Sequence, residues 1–309
     1  MRVHLDTDFA GDTDDAAALA FLLGSPDVDI VGITTVADPD GRRAGYVHAF
    51  LELAGRSGIP VATGAGASVA GAAMGDLPDH DAYWGDVECV PRPAPVDDAV
   101  ALMTASIDAG ATLIGIGPYT NFALVEAARP GALDEARVVL MGGWVTPPAA
   151  GFPPWGASRD WNAQCDIGAT VSVFESARAL TLATLPGTIA AHLRGAHLDR
   201  LRASGPIGAL LARQAIAHEA EYDVRALGRA HAALPDDLLN FQWDPVACAV
   251  ALGWPGATTE RLPLRAQIDG GVVFFVPDGS GTPTTIVTAV DGDDFAELWL
   301  RAIEELDRR

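Results

Sequence analysis

Val3-His4-Leu5-Asp6-Thr7-Asp8-Phe9-Ala10-Gly11-Asp12-Thr13-Asp14-Asp15 stands near the N-terminus of the chain. A short apolar run ends there in five carboxylates within ten residues, and an Ala/Leu-rich segment follows at once. The pattern predicts a strand, a glycine-containing turn and a helix over about residues 13–23. Five carboxylates in one turn repel one another unless a cation sits among them. No Cys or His lies between them, and hard oxygen donors suit calcium or magnesium better than zinc. The competing reading is a solvated acidic turn whose Asp and Thr residues cap the helix. Five acids directly after a buried strand favour the cation.

Outward from this turn, composition sets bounds. A chain of 309 residues, 49% of them hydrophobic, can bury a sizeable core. No composition shift divides it, so residues 1–309 read as a single domain. A net charge of −21 argues against nucleic acid, whose phosphates need a basic stripe. Neither a basic amphipathic helix nor an apolar run of about 18 residues offers itself to a membrane. Cys89, Cys165 and Cys248 are odd in number and far apart, which argues against a disulfide framework or a zinc knuckle. A soluble protein of the reducing cytoplasm is expected. The sequence contains no Lys. That excludes Schiff-base enzymes and P-loop phosphotransferases, which need a lysine amine.

Strand and helix patterns alternate along the chain. The β-branched run 29–37 reads as a buried strand, and short strands are expected at 59–63, 112–116, 136–141 and 180–183. Helices are expected between them, with further helices near 188–194 and 205–222 and irregular chain over 224–239. Residues 144–158, rich in Pro, Gly and aromatics, form a loop too long for a simple connection. The tail from 262 to 290 alternates like antiparallel strands before a closing helix. The fold class is therefore α/β: an open, mainly parallel sheet with helices on both faces and a small antiparallel C-terminal part. Ligands in such sheets bind beyond the carboxyl ends of the strands.

Several residues collect at those ends. A cation among Asp6, Asp8, Asp12, Asp14 and Asp15 keeps its ligands ionised and acidifies a bound water, whose proton an adjacent aspartate can take. Asp160-Trp161-Asn162 offers a carboxylate and an amide suited to sugar hydroxyls, or closes the loop as an Asx turn. In Trp243-Asp244-Pro245, Asp244 is either a helix N-cap with Pro at N1 or a metal ligand from far along the chain. Trp84 and Trp155 lie in loops. Of the seven His, His80 and His231 sit in loops and are the acid candidates; His48, His192 and His218 fall in helical patterns and read as surface or packing residues.

These residues resemble, in order along nearly the whole chain, the inosine–uridine-preferring nucleoside hydrolase superfamily. The likeness runs through LDTDFAGDTDDA, ITTVAD (33–38), GPYTNFA (117–123), MGG (141–143), DWNAQCD (160–166) and WDPVA (243–247). It implies a Rossmann-like nucleoside hydrolase fold and a Ca²⁺-dependent N-ribohydrolase, with Asp8 as both metal ligand and general base. It further implies Asp15, the Thr120 carbonyl and Asp244 as ligands, and Asp14, Asp160 and Asn162 on the ribose. A homo-oligomer is also implied. The chain departs from the pattern in five places, two of them beside the ribose motif: Asp160 stands where Glu is commoner, and Pro154 stands near the Asn of a lost GN. Its opening turn has two extra residues and an extra acid, Asp12, which shares or replaces the role of Asp8. Asp38 stands where the usual VAGN is lost, as a further substrate contact. Trp243 replaces the His that one branch uses for leaving-group protonation, as in the purine-preferring branch. There the base lies between two Trp, which Trp243 and Trp84 would supply, with Trp155 in reserve.

The reaction so implied gives ribose and free base from a ribonucleoside, with purine nucleosides preferred. The rivals are a magnesium phosphatase using Asp-x-Asp, which the missing Lys disfavours, and a non-catalytic nucleoside- or sugar-binding protein on the same scaffold.

Overall fold

The computed structural model describes residues 1–309. Its strands are β1 (Arg2–Thr7), β2 (Asp29–Thr35), β3 (Val61–Thr63), β4 (Thr112–Gly115), β5 (Arg137–Met141), β6 (Ala179–Ala183), β7 (His192–Arg194), β8 (Leu238–Phe241), β9 (Ala257–Asp269), β10 (Val272–Pro277) and β11 (Thr282–Val290). Nine of them form one sheet in the order β10-β9-β11-β6-β5-β4-β1-β2-β3. From β3 to β11 every pairing is parallel, and β9 and β10 add an antiparallel edge. The short β7 and β8 pair separately.

The chain runs from β1 outward to β3, then crosses back to place β4 on the other side of β1. The order therefore reverses between β1 and β4, and a crevice opens there past the strand ends. Asp6 pairs with Thr34 of β2 and Gly115 of β4, so the acidic turn leaves the sheet at this switch point.

Helix Asp14–Gly24 shows why Ala dominates after the turn. All eleven of its residues are buried. It lies against helices Trp243–Ala251 and Gly292–Arg308. A Cβ on Gly24 would lie 2.0 Å from the Ala302 carbonyl oxygen, so the closing helix crosses at backbone contact. Helix Gly292–Arg308 is amphipathic in the ordinary way, with Phe295, Trp299, Ile303 and Leu306 inward at spacings of three and four.

The expected fold class stands, and elements were mistaken in two places. Residues 188–194 are not a helix: a short turn, Leu185–Thr188, precedes strand β7. The stretch 224–239 is not irregular, since it contains helix Val224–Ala230 and the first half of β8. These two strands pair residues 44 or more positions apart, and short segments held by such distant partners carry little local signal.

Candidate active site

The turn after β1 is held from behind. Asp6 Oδ1 accepts from Thr34 Oγ1 and, at 2.7 Å, from Asn121 Nδ2. Asn121 also donates to Thr35 O and accepts from Ala65 N, so one amide staples three strand ends. Burial pushes Asp6 up to about 7, which makes it a structural group behind the cavity. Arg43 is buried and donates to Ala37 O at 2.8 Å, Phe9 O at 3.0 Å and Asp8 O. Ala10 takes a left-handed φ of 69° in this turn. The strand therefore ends abruptly and Asp8 faces the crevice.

Two helix N-termini then bring carboxylates together. Asp14 and Asp15 occupy the first turn of Asp14–Gly24, and Asp244 the first turn of Trp243–Ala251. Each terminus favours an acid through its helix dipole. Asp244 is inside its helix and caps nothing with its side chain. Carboxylate oxygens of Asp14, Asp15 and Asp244 lie within 4.8 Å of one another, all buried. Thr7 Oγ1 donates to Asp15 Oδ1, and the Asp244 backbone N lies 3.4 Å from Asp14 Oδ2. Burial first, then repulsion from neighbouring carboxylates (Asp12 on Asp14, Asp8 on Asp15, Asp14 on Asp244), raises all three above the usual carboxylate range. Burial also raises Asp8, with the Arg43 guanidinium pulling the other way.

No side chain forms an ion pair with these carboxylates, and the single Arg43 guanidinium acts on Asp8 and Asp15 only at longer range. Arg43 gives its hydrogen bonds to main-chain carbonyls and makes no ion pair. A buried, all-oxygen, unpaired donor set is what a hard divalent cation requires, so the residues fit a metal.

The opposite wall carries the sugar-type donors. Asp160 Oδ1 accepts from Ala163 N and Oδ2 from Gly143 N, so this carboxylate does cap its short helix while still lining the cavity. Burial raises it to about 6. Asn162 Nδ2 donates to Ile116 O and Met141 O. Glycine is required here. A Cβ on Gly117 would reach Asp8 Oδ1 at 2.9 Å, and one on Gly142, at φ +131°, would meet Tyr119 Oη at 2.3 Å. Trp161, between Asp160 and Asn162, donates its indole N–H to Asp8 Oδ2 at 3.2 Å.

The far end of the cavity is aromatic. Phe241 and Trp243 stack at 4.7 Å with planes 5° apart, and Trp155 meets both edge-on at 5.4 and 6.1 Å. The Trp243 indole N–H is buried without a partner. His218, Glu221 and Tyr222 of helix Pro206–Tyr222 also line the cavity. The whole encloses about 680 Å³.

The structure thus brings together Asp8, Asp12, Asp14, Asp15, Asp160, Asn162, Trp243 and Asp244, which all line the cavity. Five expected residues stand elsewhere. Trp84 is 3% exposed and packs on Phe9 and Tyr46 in the core, because its loop folds inward. Trp155, the reserve, takes the place by the cavity. The two Trp do not form a parallel sandwich either. A base between two rings needs them roughly 7 Å apart, twice the van der Waals contact of about 3.5 Å, and Trp155 and Trp243 touch at 60°. Asp38 caps helix Arg42–Leu53, accepting from Arg43 N, Ala44 N and Thr35 Oγ1, and does not line the cavity. Thr120 is buried outside the cavity wall with its hydroxyl bonded to Asp166 at 2.7 Å, so the hydroxyl is committed elsewhere. His80 bonds Tyr46 and His231 bonds Leu227 O, both away from the cavity. Sequence reasoning missed Arg43, Asn240 and Phe241, and His218, which its helical pattern disguised. Trp161 was visible inside a quoted motif and went unassigned.

A family model described as inosine-uridine preferring nucleoside hydrolase matches residues 3–297. The pyrimidine-specific ribonucleoside hydrolase RihA of Enterobacter sp. (strain 638) is 28% identical over 96% of each chain. RihA of Salmonella schwarzengrund is 32% identical over 92% of this chain and 93% of its own. Among solved structures, the purine-preferring ribonucleoside hydrolase from Gardnerella vaginalis superposes with a TM-score of 0.77 at 23% identity, covering 100% of this chain and 99% of the other. The plant nucleoside hydrolase PpNRh1 gives 0.78 at 22%, over 98% of each. The fold is theirs. The chain belongs to the inosine-uridine preferring nucleoside hydrolase family, and is an enzyme that cleaves N-glycosidic bonds of ribonucleosides.

Proposed function

We propose that this cavity hydrolyses purine ribonucleosides and that Ca²⁺ is the metal it holds. The observation that carries the reading is one cavity with an unpaired carboxylate cluster at one end and an aromatic end at the other. Asp8, Asp14, Asp15 and Asp244 hold the cation, with the Thr120 carbonyl as a further donor. The bound ion supplies counter-charge to these carboxylates and polarises oxygen ligands next to the sugar.

The protein's own groups do the rest. Asp160 and Asn162 bind the ribose hydroxyls, with Asp14 shared between sugar and metal. Asp8 takes the proton of the attacking water, and Trp161 holds Asp8 by its second oxygen. As the C1′–N bond breaks, the ring gains oxocarbenium character, which the surrounding carboxylates stabilise. Trp243, backed by Phe241, presents a flat face to the base. Trp at position 243 and the breadth of the aromatic end support a purine, although the two RihA relatives are named for pyrimidines. The composition supports a cytoplasmic enzyme, and the family likeness a homo-oligomer, which light scattering on the purified protein tests.

The central experiment measures reducing sugar released from inosine, guanosine, uridine and cytidine with Ca²⁺ or a chelator. Faster release from the purines, lost on chelation, is expected. Uridine as the fastest substrate overturns the purine preference. Activity unchanged by exhaustive chelation overturns the metal.

A further inference from the structure

We propose that His218 donates the proton to the departing base and that Asp12 positions it, an inference that rests on the nucleoside hydrolysis above. A nucleobase leaves as an anion unless it is protonated while the bond breaks. The aromatic end must therefore either tolerate that anion or carry an acid, and the residue at position 243 is an indole, whose N–H is no acid. Of the seven His, only His218 lines the cavity.

Its surroundings suit the task. The ring's Nδ1 is buried without a hydrogen-bond partner and stands 3.6 Å from Asp12 Oδ1. Asp12 Oδ1 is itself fixed, accepting from Asn240 Nδ2 at 2.7 Å and from Thr13 N at 2.5 Å. A carboxylate beside one imidazole nitrogen orients the ring and leaves the other nitrogen to serve a ligand. Tyr222, one helical turn on, packs on the ring at 4.8 Å, and Glu221 adds negative charge to the same helix end. The extra acid of the opening turn thus has a partner. The longer turn and the missing His at position 243 are compensating features: the turn carries Asp12 to the base end, where it meets a His from another element.

The step balances. The C1′–N electron pair goes to the base nitrogen, which takes the proton from the His218 imidazolium. The water oxygen bonds C1′ and its proton goes to Asp8. Solvent then returns a proton from Asp8 to His218, so the sum is nucleoside plus water to ribose plus base.

The test compares His218→Gln, His218→Ala and Asp12→Asn with the wild type on two substrates, at saturating Ca²⁺. One is whichever of inosine and uridine turns over faster, and the other is 4-nitrophenyl riboside, whose leaving group needs no proton. His218→Gln is expected to lower kcat/KM on the nucleoside by about 100-fold or more and on the nitrophenyl riboside by less than about 3-fold. Asp12→Asn is expected to show the same selectivity, with a loss of about 5- to 30-fold on the nucleoside. His218→Ala guards against a defect particular to glutamine. Equal losses on both substrates, or full nucleoside activity in both His218 variants, overturn the proposal. A wild type that releases sugar from no nucleoside overturns the parent reading, and this one with it, before any variant is made.

Discussion

Replacing Asp244 by Asn should stabilise the metal-free protein and forfeit most of the stability that bound metal adds. In the metal-free protein Asp244 shares a buried space with Asp14 and Asp15, their oxygens within 4.8 Å. Two full charges at that distance repel by about 3.5 kcal/mol at an effective dielectric constant of about 20. The sum over two neighbours is an upper bound, because the raised carboxylates relieve part of it by taking up protons. A net gain of about 1–3 kcal/mol is left for Asp244→Asn, which keeps the shape and removes the charge. Unfolding entropy of about 2.1 cal/mol/K per residue amounts to about 0.65 kcal/mol/K for this chain, so the metal-free variant should melt about 2–5 °C above the metal-free wild type. With Ca²⁺ at about 100 times its Kd, the wild type gains about 2.7 kcal/mol, or about 4 °C. The variant, short of one ligand, should gain little. Scanning calorimetry of both proteins, dialysed against chelator and then titrated with Ca²⁺, reads all four states. A metal-free variant that melts below the metal-free wild type, together with equal Ca²⁺ shifts in both, would refute the charge argument and remove Asp244 from the metal site.

Four further outcomes are expected. Asp8→Asn should lower kcat by about 10³-fold while ribose binding, followed by calorimetry, changes little; unchanged kcat removes Asp8 as base. Trp161→Phe deletes the hydrogen bond to Asp8 Oδ2 and keeps the ring. Because Trp161 is 53% exposed, a modest loss of about 5-fold in kcat with KM steady is expected; a loss in KM alone would make Trp161 a substrate contact instead. Trp243→Ala should lose far more activity on inosine than on 4-nitrophenyl riboside, whereas Trp84→Phe should lower Tm and leave substrate selectivity alone; a selectivity change in Trp84→Phe would return that residue to the cavity. Gly24→Ala gains up to about 1 kcal/mol in helix propensity but drives a Cβ to 2.0 Å from the Ala302 carbonyl. Overpacking of about 1–3 kcal/mol should win and lower Tm, and a higher Tm would show that the two helices separate freely.

The sequence by itself determined the strand–turn–helix at the N-terminus, the mainly parallel sheet and most of the carboxylates. These follow from local rules: an apolar run ends in acids, Ala and Leu follow, and strands alternate with helices. Motif order along the chain added Asp160, Asn162 and Asp244, whose individual signals were open to a local explanation, an Asx turn for the first two and a helix cap for Asp244. For Asp160 the cap and the cavity turned out to be compatible, since its two oxygens accept backbone N–H groups while the residue lines the wall.

Only the tertiary structure decided which loops turn inward and which distant residues meet. Trp84 and Trp155 look alike as loop tryptophans, yet one stacks on Tyr46 in the core and the other reaches Trp243. Asp38 reads as one more acid at a strand end, and it is a helix cap. His218 follows a helical pattern like any surface histidine. It becomes a functional candidate only because its helix packs across the cavity, 206 positions from Asp12 but 3.6 Å away in space. Such pairings rest on contacts between segments far apart in the chain, and local propensity carries no record of them. The acidic turn could therefore announce a metal site from sequence alone, while the division of labour around it waited for the fold.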